Sequence, residues 1–250
     1  MNKEGKHRKN KLFRFKAFSL DDSASPMKIG TDAVLLGAWG GAYAKSNGAS
    51  YILDIGTGCG IIALMVAQKS HAAIHAIDID SGAILSATEN FQESPWSERV
   101  SAARCALQYY YPPDAIQYDI IISNPPYFQD SMVSPCKGRT SARHNQDMSF
   151  DDLFAHSKRL LSSQGILMII YPANQEKRVH QSSARSGLVE YKRLNISSSA
   201  GRAPVRIISE YSLSACSGPQ ILSMSIEKEQ RHDFTDEYKT LTFDYHPFFG

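Results

Sequence analysis

Apolar residues along this chain fall into short, nearly unbroken blocks at 51–55, 73–77, 118–122 and 166–171, separated by glycine or by polar clusters. Blocks of about four to eight residues rich in Ile and Leu, with no alternation, belong to strands covered on both faces, which is the situation of a parallel sheet. The pattern predicts strands over 51–55, 73–78, 99–104, 118–123 and 166–171, with helices over 33–39, 61–67, 81–93, 150–161 and 174–186 between and after them. Thr31 is expected to cap the first helix and Asp80 the third. Ser149 with Asp152 forms an expected capping box for the fourth, which Gly165 then stops. The segments 190–197 and 206–213 read as a terminal antiparallel pair. Near the start, Phe13 and Phe15 alternate with Arg14 and Lys16 before Phe18, the pattern of a short edge strand on the rim of a site. Strand and helix in alternation with a late hairpin indicate an α/β fold: a single doubly wound, Rossmann-like, mostly parallel sheet with a C-terminal antiparallel hairpin. No internal repeat or interdomain linker interrupts it.

Composition narrows the class. With 42% hydrophobic and 21% charged residues over 250, the chain is globular and long enough for a substantial core. Its longest apolar runs fall well short of the roughly 18 residues of a membrane span. The Lys/Arg-rich start has no apolar segment of a secretory signal, so a cytoplasmic protein that does not enter membranes is expected. Cys59, Cys105, Cys136 and Cys216 form no CxxC pair, so neither a zinc site nor a disulfide framework is expected, and His75, alone in a strand, reads as a core histidine rather than a metal ligand.

Charge changes the picture more. The net +2 hides an asymmetry, because residues 3–16 carry Lys3, Lys6, Arg8, Lys9, Lys11, Arg14 and Lys16 against Glu4 alone, leaving the remainder net negative. Attraction for a polyanion is therefore concentrated in a basic arm over 1–18, ahead of one domain over 19–250. A solvated tail is the plain alternative. The polar stretch after residue 127 adds Lys137, Arg139 and Arg143 as further candidates for nucleic-acid contact.

Two strand ends carry the chemistry. Asp54 closes the first strand and runs into Gly56-Thr57-Gly58-Cys59-Gly60, then into an apolar helix. A strand, a glycine loop and a helix start let backbone N–H groups approach a ligand closely. The Gly-x-Gly-x-Gly spacing with an acid inside the strand differs from dinucleotide sites. Asp78, at the end of the next strand, is placed to accept ribose hydroxyls, and Ile79 to pack on a ring. The strand 118–123 ends in Asn124-Pro125-Pro126-Tyr127. Here the Asn124 amide carbonyl and the Pro125 main-chain carbonyl can each accept one hydrogen of an amino group conjugated to a planar ring, aiming its lone pair outward. The prolines have no N–H and fixed φ, so the loop offers acceptors only. Tyr127 supplies a face for stacking a base. A strand-ending turn with a packed aromatic is the bland alternative. Tyr109, Tyr110 and Tyr111 read as a packed surface turn, with a base platform as the other possibility, and Cys59 as a small loop filler.

These motifs resemble the class I S-adenosylmethionine-dependent methyltransferases that modify amino groups, and among them the bacterial family acting on N6 of the adenine just 3′ of the anticodon, adenine 37, in tRNA1(Val). The resemblance rests on Lys28-Ile29-Gly30-Thr31-Asp32, the loop 54–60, Asp78, the Asn-Pro-Pro-Tyr loop, Ala142-Arg143-His144 and the tail 236–242. It implies S-adenosyl-L-methionine as cofactor and tRNA as substrate, no metal, and a monomer. It further implies cofactor contacts from Lys28, Gly30, Thr31, Asp32, Asp54, Gly56, Gly58, Gly60, Asp78 and Ile79, and catalysis at Asn124, Pro125, Pro126 and Tyr127. Many relatives place an acid after the third strand to hold the cofactor's adenine. Here that stretch is Cys105-Ala106-Leu107, so main-chain groups are expected to substitute.

Other classes are weighed by the same residues. A nicotinamide dehydrogenase would leave Asp54 and the Asn-Pro-Pro-Tyr loop without a role. An enzyme methylating a protein glutamine amide needs the same two acceptors, yet the basic arm favours RNA. Guanine-N2 methylation of ribosomal RNA shares the loop with a different final aromatic. A silent S-adenosylmethionine-binding module has no need of an intact Asn124, Pro125 and Tyr127.

Overall fold

Residues 12–126, 148–214 and 218–249 are described by the computed structural model of the chain. A small ribbon of β1 (Phe13–Arg14) and β2 (Ser19–Leu20) precedes α1 (Thr31–Asn47). Then come β3 (Tyr51–Ile55), α2 (Ile61–Lys69), β4 (Ala73–Asp78), α3 (Ser81–Gln92), β5 (Val100–Arg104) and β6 (Tyr118–Ser123). The second half holds α4 (Phe150–Leu160), β7 (Leu161–Pro172), α5 (Glu176–Ser186), β8 (Val189–Ser199), β9 (Pro204–Ser212), β10 (Gln220–Glu227) and α6 (Asp236–Thr242).

The main sheet has the order β10-β8-β9-β7-β6-β3-β4-β5. From β7 to β5 all neighbours are parallel, β9 is antiparallel to both β7 and β8, and β10 returns parallel to β8. The expected doubly wound sheet with an antiparallel end is thus what the chain forms. Chain order reverses between β3 and β6, and the carboxyl ends at such a switch point are where ligands of open α/β sheets bind.

The unbroken apolar blocks follow from burial on two faces. Along β6, Ile120 and Ile122 pack with Leu35, Leu64 and Met65 under α1 and α2, whereas Ile121 packs with Leu153, Phe154 and Val179 under α4 and α5. Alternate side chains of a strand point to opposite faces, so both parities must be apolar. Each fully buried Ile or Leu contributes about 2 kcal/mol, more than the few tenths separating strand from helix propensities, so packing decides the fold here.

Several expectations are corrected. Thr31 is the first residue of α1 rather than its cap: Gly30 holds the N-cap in extended conformation with no side-chain bond, and the helix continues past Trp39 to Asn47. Gly165 does not stop α4. That helix ends at Leu160 and β7 starts at once, with Gly165 inside the strand where a Cβ would lie 2.5 Å from the Tyr118 carbonyl oxygen. The ladder between β6 and β7 shifts register at this point. The edge strand expected over 13–18 is only Phe13–Arg14, which pairs with Ser19–Leu20, and Phe18 and Leu20 are buried in the main core. Strand β10 and helix α6 were not anticipated. The alternation Leu222, Met224, Ile226 was present in the sequence as a signal for β10.

His75 and the middle of the tyrosine triple serve the core. Tyr118 Oη is shared between His75 Nδ1 and Tyr110 Oη, each 2.7 Å away, and burial lowers the histidine's pKa. Tyr109 and Tyr111 stay largely exposed, Tyr111 lying under the Arg159 guanidinium.

Candidate active site

The glycine loop is held by its neighbours in the sheet. Gly56 and Thr57 N–H groups both donate to the Ile77 carbonyl at the end of β4, at 2.8 and 3.1 Å. Ser123 Oγ, at the end of β6, donates to the Ile55 carbonyl at 2.8 Å, tying the strand before Asn124 to the strand before the loop. Gly58 and Gly60 take φ of 57° and 85°, the left-handed region that suits glycine, and a Cβ on Gly60 would come within 2.3 Å of the Phe91 ring.

Asp54 and Asp78 flank this loop in different environments. Asp54 is fully buried; its Oδ2 accepts from Thr57 Oγ1 at 2.6 Å, and its Oδ1 has no partner among the described residues. Burial, assisted by the charge of Asp78 and opposed by the Thr57 bond, raises its pKa to about 7. Asp78 is half-buried and accepts one N–H on each oxygen, from Gly58 at 3.0 Å and from Asp80 at 2.9 Å. These bonds aim a carboxylate that retains lone pairs for a ligand hydroxyl. Asp80 caps α3 through the Ala83 N–H, as expected. Cys59 is buried and its thiol is pushed up to about 12, so it is an inert filler.

A strap over 21–30 crosses the loop. Asn90 fastens it, accepting from the Asp21 N–H and donating to the carbonyls of Asp21 and Cys59. Within the strap, Lys28 Nζ donates to the Asp22 carbonyl at 2.6 Å, and the Asp22 carboxylate accepts from the Ile29 N–H.

Strap, glycine loop and strand ends enclose a groove with two lobes. The first, of about 400 Å³, lies between the Gly30–Asp32 turn, the glycine loop, Asn124, Pro125 and Arg206. The second, of about 240 Å³, lies between Asp78, Ile79, Cys105, Leu107 and Gln108. Met27, Gly56, Gly58, Asn124 and Pro126 belong to both.

Of the expected site residues, Lys28, Gly30, Thr31, Asp32, Gly56, Gly58, Asn124, Pro125 and Pro126 line the first lobe, and Asp78 and Ile79 the second. Asp54 and Gly60 line neither: one is the buried floor, the other packs on Phe91. Tyr127, Lys137, Arg139 and Arg143 lie outside the described residues, as do Lys3, Lys6, Arg8, Lys9 and Lys11 of the arm. Sequence reasoning missed Arg206 and Gln108. Arg206 is the third residue of β9, and because β9 runs antiparallel its first residues reach the same end of the sheet as Asn124; its Nε donates to Asp32 Oδ2 at 2.7 Å. No local motif marks it.

The groove suits a ligand with a hydroxylated ring at one end and charges at the other, with Asn124 and Pro126 in the wall between them. Among the described residues no group of three or more His, Cys, Asp or Glu is placed to hold a metal ion, and no helix is long and apolar enough to cross a membrane.

Comparison with known proteins agrees with this geometry. The family described as the methyltransferase small domain matches residues 43–185. A tRNA1(Val) (adenine(37)-N6)-methyltransferase of Parabacteroides distasonis is 37% identical over 237 residues, 95% of this chain and 98% of that one. Proteins of the same name from Bacteroides thetaiotaomicron (37% over 241 residues, 95% and 98%) and Trichodesmium erythraeum (38% over 238 residues, 94% and 97%) are similar to the same extent. Among solved structures, a predicted O-methyltransferase of Agrobacterium tumefaciens shares the fold with a TM-score of 0.67 at 16% identity, covering 86% of this chain and 96% of its own. A ribosomal protein L11 methylase of Lactobacillus delbrueckii does so with 0.55 at 17%, covering 77% and 83%.

Proposed function

Since the chain belongs to the methyltransferase small-domain family, and within it to the tRNA1(Val) (adenine(37)-N6)-methyltransferases, we propose that its two-lobed groove methylates N6 of adenine 37 in tRNA1(Val). Membership makes it an S-adenosylmethionine-dependent enzyme. The residues present fit that cofactor: an oriented carboxylate on Asp78 beside apolar Ile79 and Leu107 for a nucleoside, and the charged turn at Asp32 for an amino acid. Bound there, S-adenosylmethionine supplies an electrophilic methyl group on a positively charged sulfur.

The protein's own part is to make a poor nucleophile competent. An adenine amino nitrogen has its lone pair delocalised into the ring. Asn124 stands in the wall common to both lobes and Pro125 lines the first lobe beside it; the side-chain carbonyl of one and the main-chain carbonyl of the other are assigned to accept the two amino hydrogens and favour tetrahedral nitrogen. Pro125 is buried, which fixes its carbonyl beforehand. Tyr127 is assigned the stacking face for the base. The arm cations Lys3, Lys6, Arg8, Lys9 and Lys11, with Lys137, Arg139 and Arg143, are assigned the phosphate backbone, which positions RNA without reading it.

The observation that carries this reading is the position of Asn124 and Pro126 in the wall common to both lobes. Incubation with labelled S-adenosylmethionine and total RNA from cells lacking the activity, followed by nucleoside analysis, tests it. N6-methyladenosine in tRNA is expected; label in N2-methylguanosine of ribosomal RNA, or in protein glutamine, would reassign the substrate.

A further inference from the structure

Two aromatic side chains stand outside the groove and have no part in the proposed chemistry. Tyr109 and Tyr111 are 78% and 76% exposed, and the residues just before them, Leu107 and Gln108, line the second lobe. The turn that carries them is fixed from within. The Tyr109 N–H donates to the Ala106 carbonyl at 2.9 Å, and Tyr110, between the two, is buried with its hydroxyl 2.7 Å from that of Tyr118. Arg159 Nη2 donates to the Tyr110 carbonyl at 2.9 Å, and the same guanidinium lies over the Tyr111 ring, 5.0 Å from its centroid. One face of that ring is thus backed by a cation, and its exposure leaves the other face open. Pro112 follows with φ of −65°, which stiffens the exit from the turn. Both rings are therefore presented on a backbone that is already ordered, so a ligand that meets them orders side chains only.

We propose that Tyr109 and Tyr111, with Arg159 behind the second ring, form a stacking platform for an unpaired base of the RNA other than the adenine being methylated. The inference rests on reading the substrate as tRNA. Among the described residues between 86 and 204 these two are the only large apolar side chains that are exposed. A protein partner needs a wide, contiguous apolar patch, which two rings without large aliphatic neighbours do not supply. A nucleobase needs only the face of a ring, and the guanidinium adds attraction for a π-system and for the phosphate attached to it. The location fits as well. Asn124 and Gln108 line one cavity of about 240 Å³, and Tyr109 is the next residue on, so the platform lies close to the amino acceptor. Turning one adenine out of a loop strips its neighbours of a stacking partner, and an aromatic face beside the groove returns part of that energy. Phosphate contacts of the basic arm lose strength as salt rises, whereas stacking on uncharged rings gives a share of affinity that salt does not remove.

The test separates rings from charges and RNA from cofactor. Binding of an unmodified tRNA1(Val) transcript is measured at several salt concentrations for the wild type, Tyr109→Ala, Tyr111→Ala, the double alanine variant and the two phenylalanine variants, beside calorimetry with S-adenosylhomocysteine. Each alanine substitution is expected to weaken RNA binding roughly 5- to 100-fold, the range of base–aromatic stacking, with the salt slope and S-adenosylhomocysteine affinity unchanged. The phenylalanine variants keep the ring and are expected to stay within about twofold of the wild type. An anticodon stem-loop carrying single abasic positions then locates the base: at one loop position its loss weakens binding to the wild type but not to the double variant. Unchanged RNA affinity in the double alanine variant would overturn the platform. Phenylalanine losses equal to those of alanine would overturn stacking in favour of hydrogen bonds from the hydroxyls. A parallel loss of S-adenosylhomocysteine affinity would make the turn a support of the second lobe only. Self-association of the wild type in light scattering that the double variant loses, at unchanged RNA affinity, would make this face a contact between copies. A wild type that binds S-adenosylhomocysteine but no tRNA would instead remove the RNA reading on which the platform stands.

Discussion

The two lobes of the groove are built in different ways. The second is built on strand ends adjacent in the sheet, with the strap at Ser25, Pro26 and Met27 across them: Asp78 closes β4, Cys105 follows β5, and the Cys105 N–H donates to the Asp78 carbonyl at 3.0 Å. The first is assembled from the ends of the chain's order, the turn before α1 and the start of β9, joined across the central strands by the Asp32–Arg206 pair. One lobe is maintained by the hydrogen-bond ladder of the sheet itself. The other depends on side chains meeting across long sequence separations.

The largest expected effect tests what the lobes have in common, the floor at Asp54. Its folded-state pKa of about 7 lies above the ordinary 3.8, so between these values the folded protein holds a proton that the unfolded chain has released. Stability therefore falls as pH rises through that window, by about 4 kcal/mol in full, and the penalty is absent below pH 3.8, where both states are protonated. Asp54→Asn keeps the Thr57 bond and removes the titration. Denaturant unfolding from pH 4 to 8 should show the wild type losing stability relative to this variant; parallel curves would mean that Asp54 is satisfied as an anion.

The shared wall comes next. Asn124→Ala is expected to lower single-turnover methylation by about 100-fold or more while cofactor affinity in calorimetry stays close to that of the wild type, because the proposed role of Asn124 is toward the target amino group. A parallel loss of affinity would place Asn124 in the cofactor site instead. Asp78→Ala should cost roughly 2–3 kcal/mol of binding, and for 5′-methylthioadenosine as much as for S-adenosylhomocysteine, since the loss is confined to the nucleoside lobe. Unequal losses would break the separation between the lobes. The smallest effect is expected at the brace of the first lobe. Glu210→Gln removes one of two acceptors facing Trp39 and Tyr191, which should lower stability by about 1–2 kcal/mol in thermal unfolding and leave 5′-methylthioadenosine affinity unchanged.

Legibility in the sequence follows the same division. The strands of the parallel half, the glycine loop, Asp78 with its Asp80 cap, and the Ser149–Asp152 capping box were readable because each is a local pattern whose physics lies within a few residues. Thr31 and Gly165 were misjudged for the opposite reason. A threonine before an apolar run is a good cap by propensity, yet the strap over 21–30 sets the chain's entry so that Gly30 takes that place. A glycine after a helix is a common stop, but Gly165 answers to the Tyr118 carbonyl beside it in the sheet. Strand β10 carried an alternating signal, but only pairing with β8 shows that it extends the sheet.

By itself, then, the amino-acid sequence determined the fold class, the glycine loop with Asp78 beside it and the Asn-Pro-Pro turn at the end of β6, since two-sided burial, glycine spacing and proline stiffness act over a handful of bonds. Tertiary structure alone decided that β9 is inserted between β7 and β8, which brings Arg206 to Asp32, and that Asp54 lies too deep to be an ordinary carboxylate. Those outcomes depend on which segments become neighbours and how much water they exclude. Both are properties of the packed whole, and no window of the chain contains them.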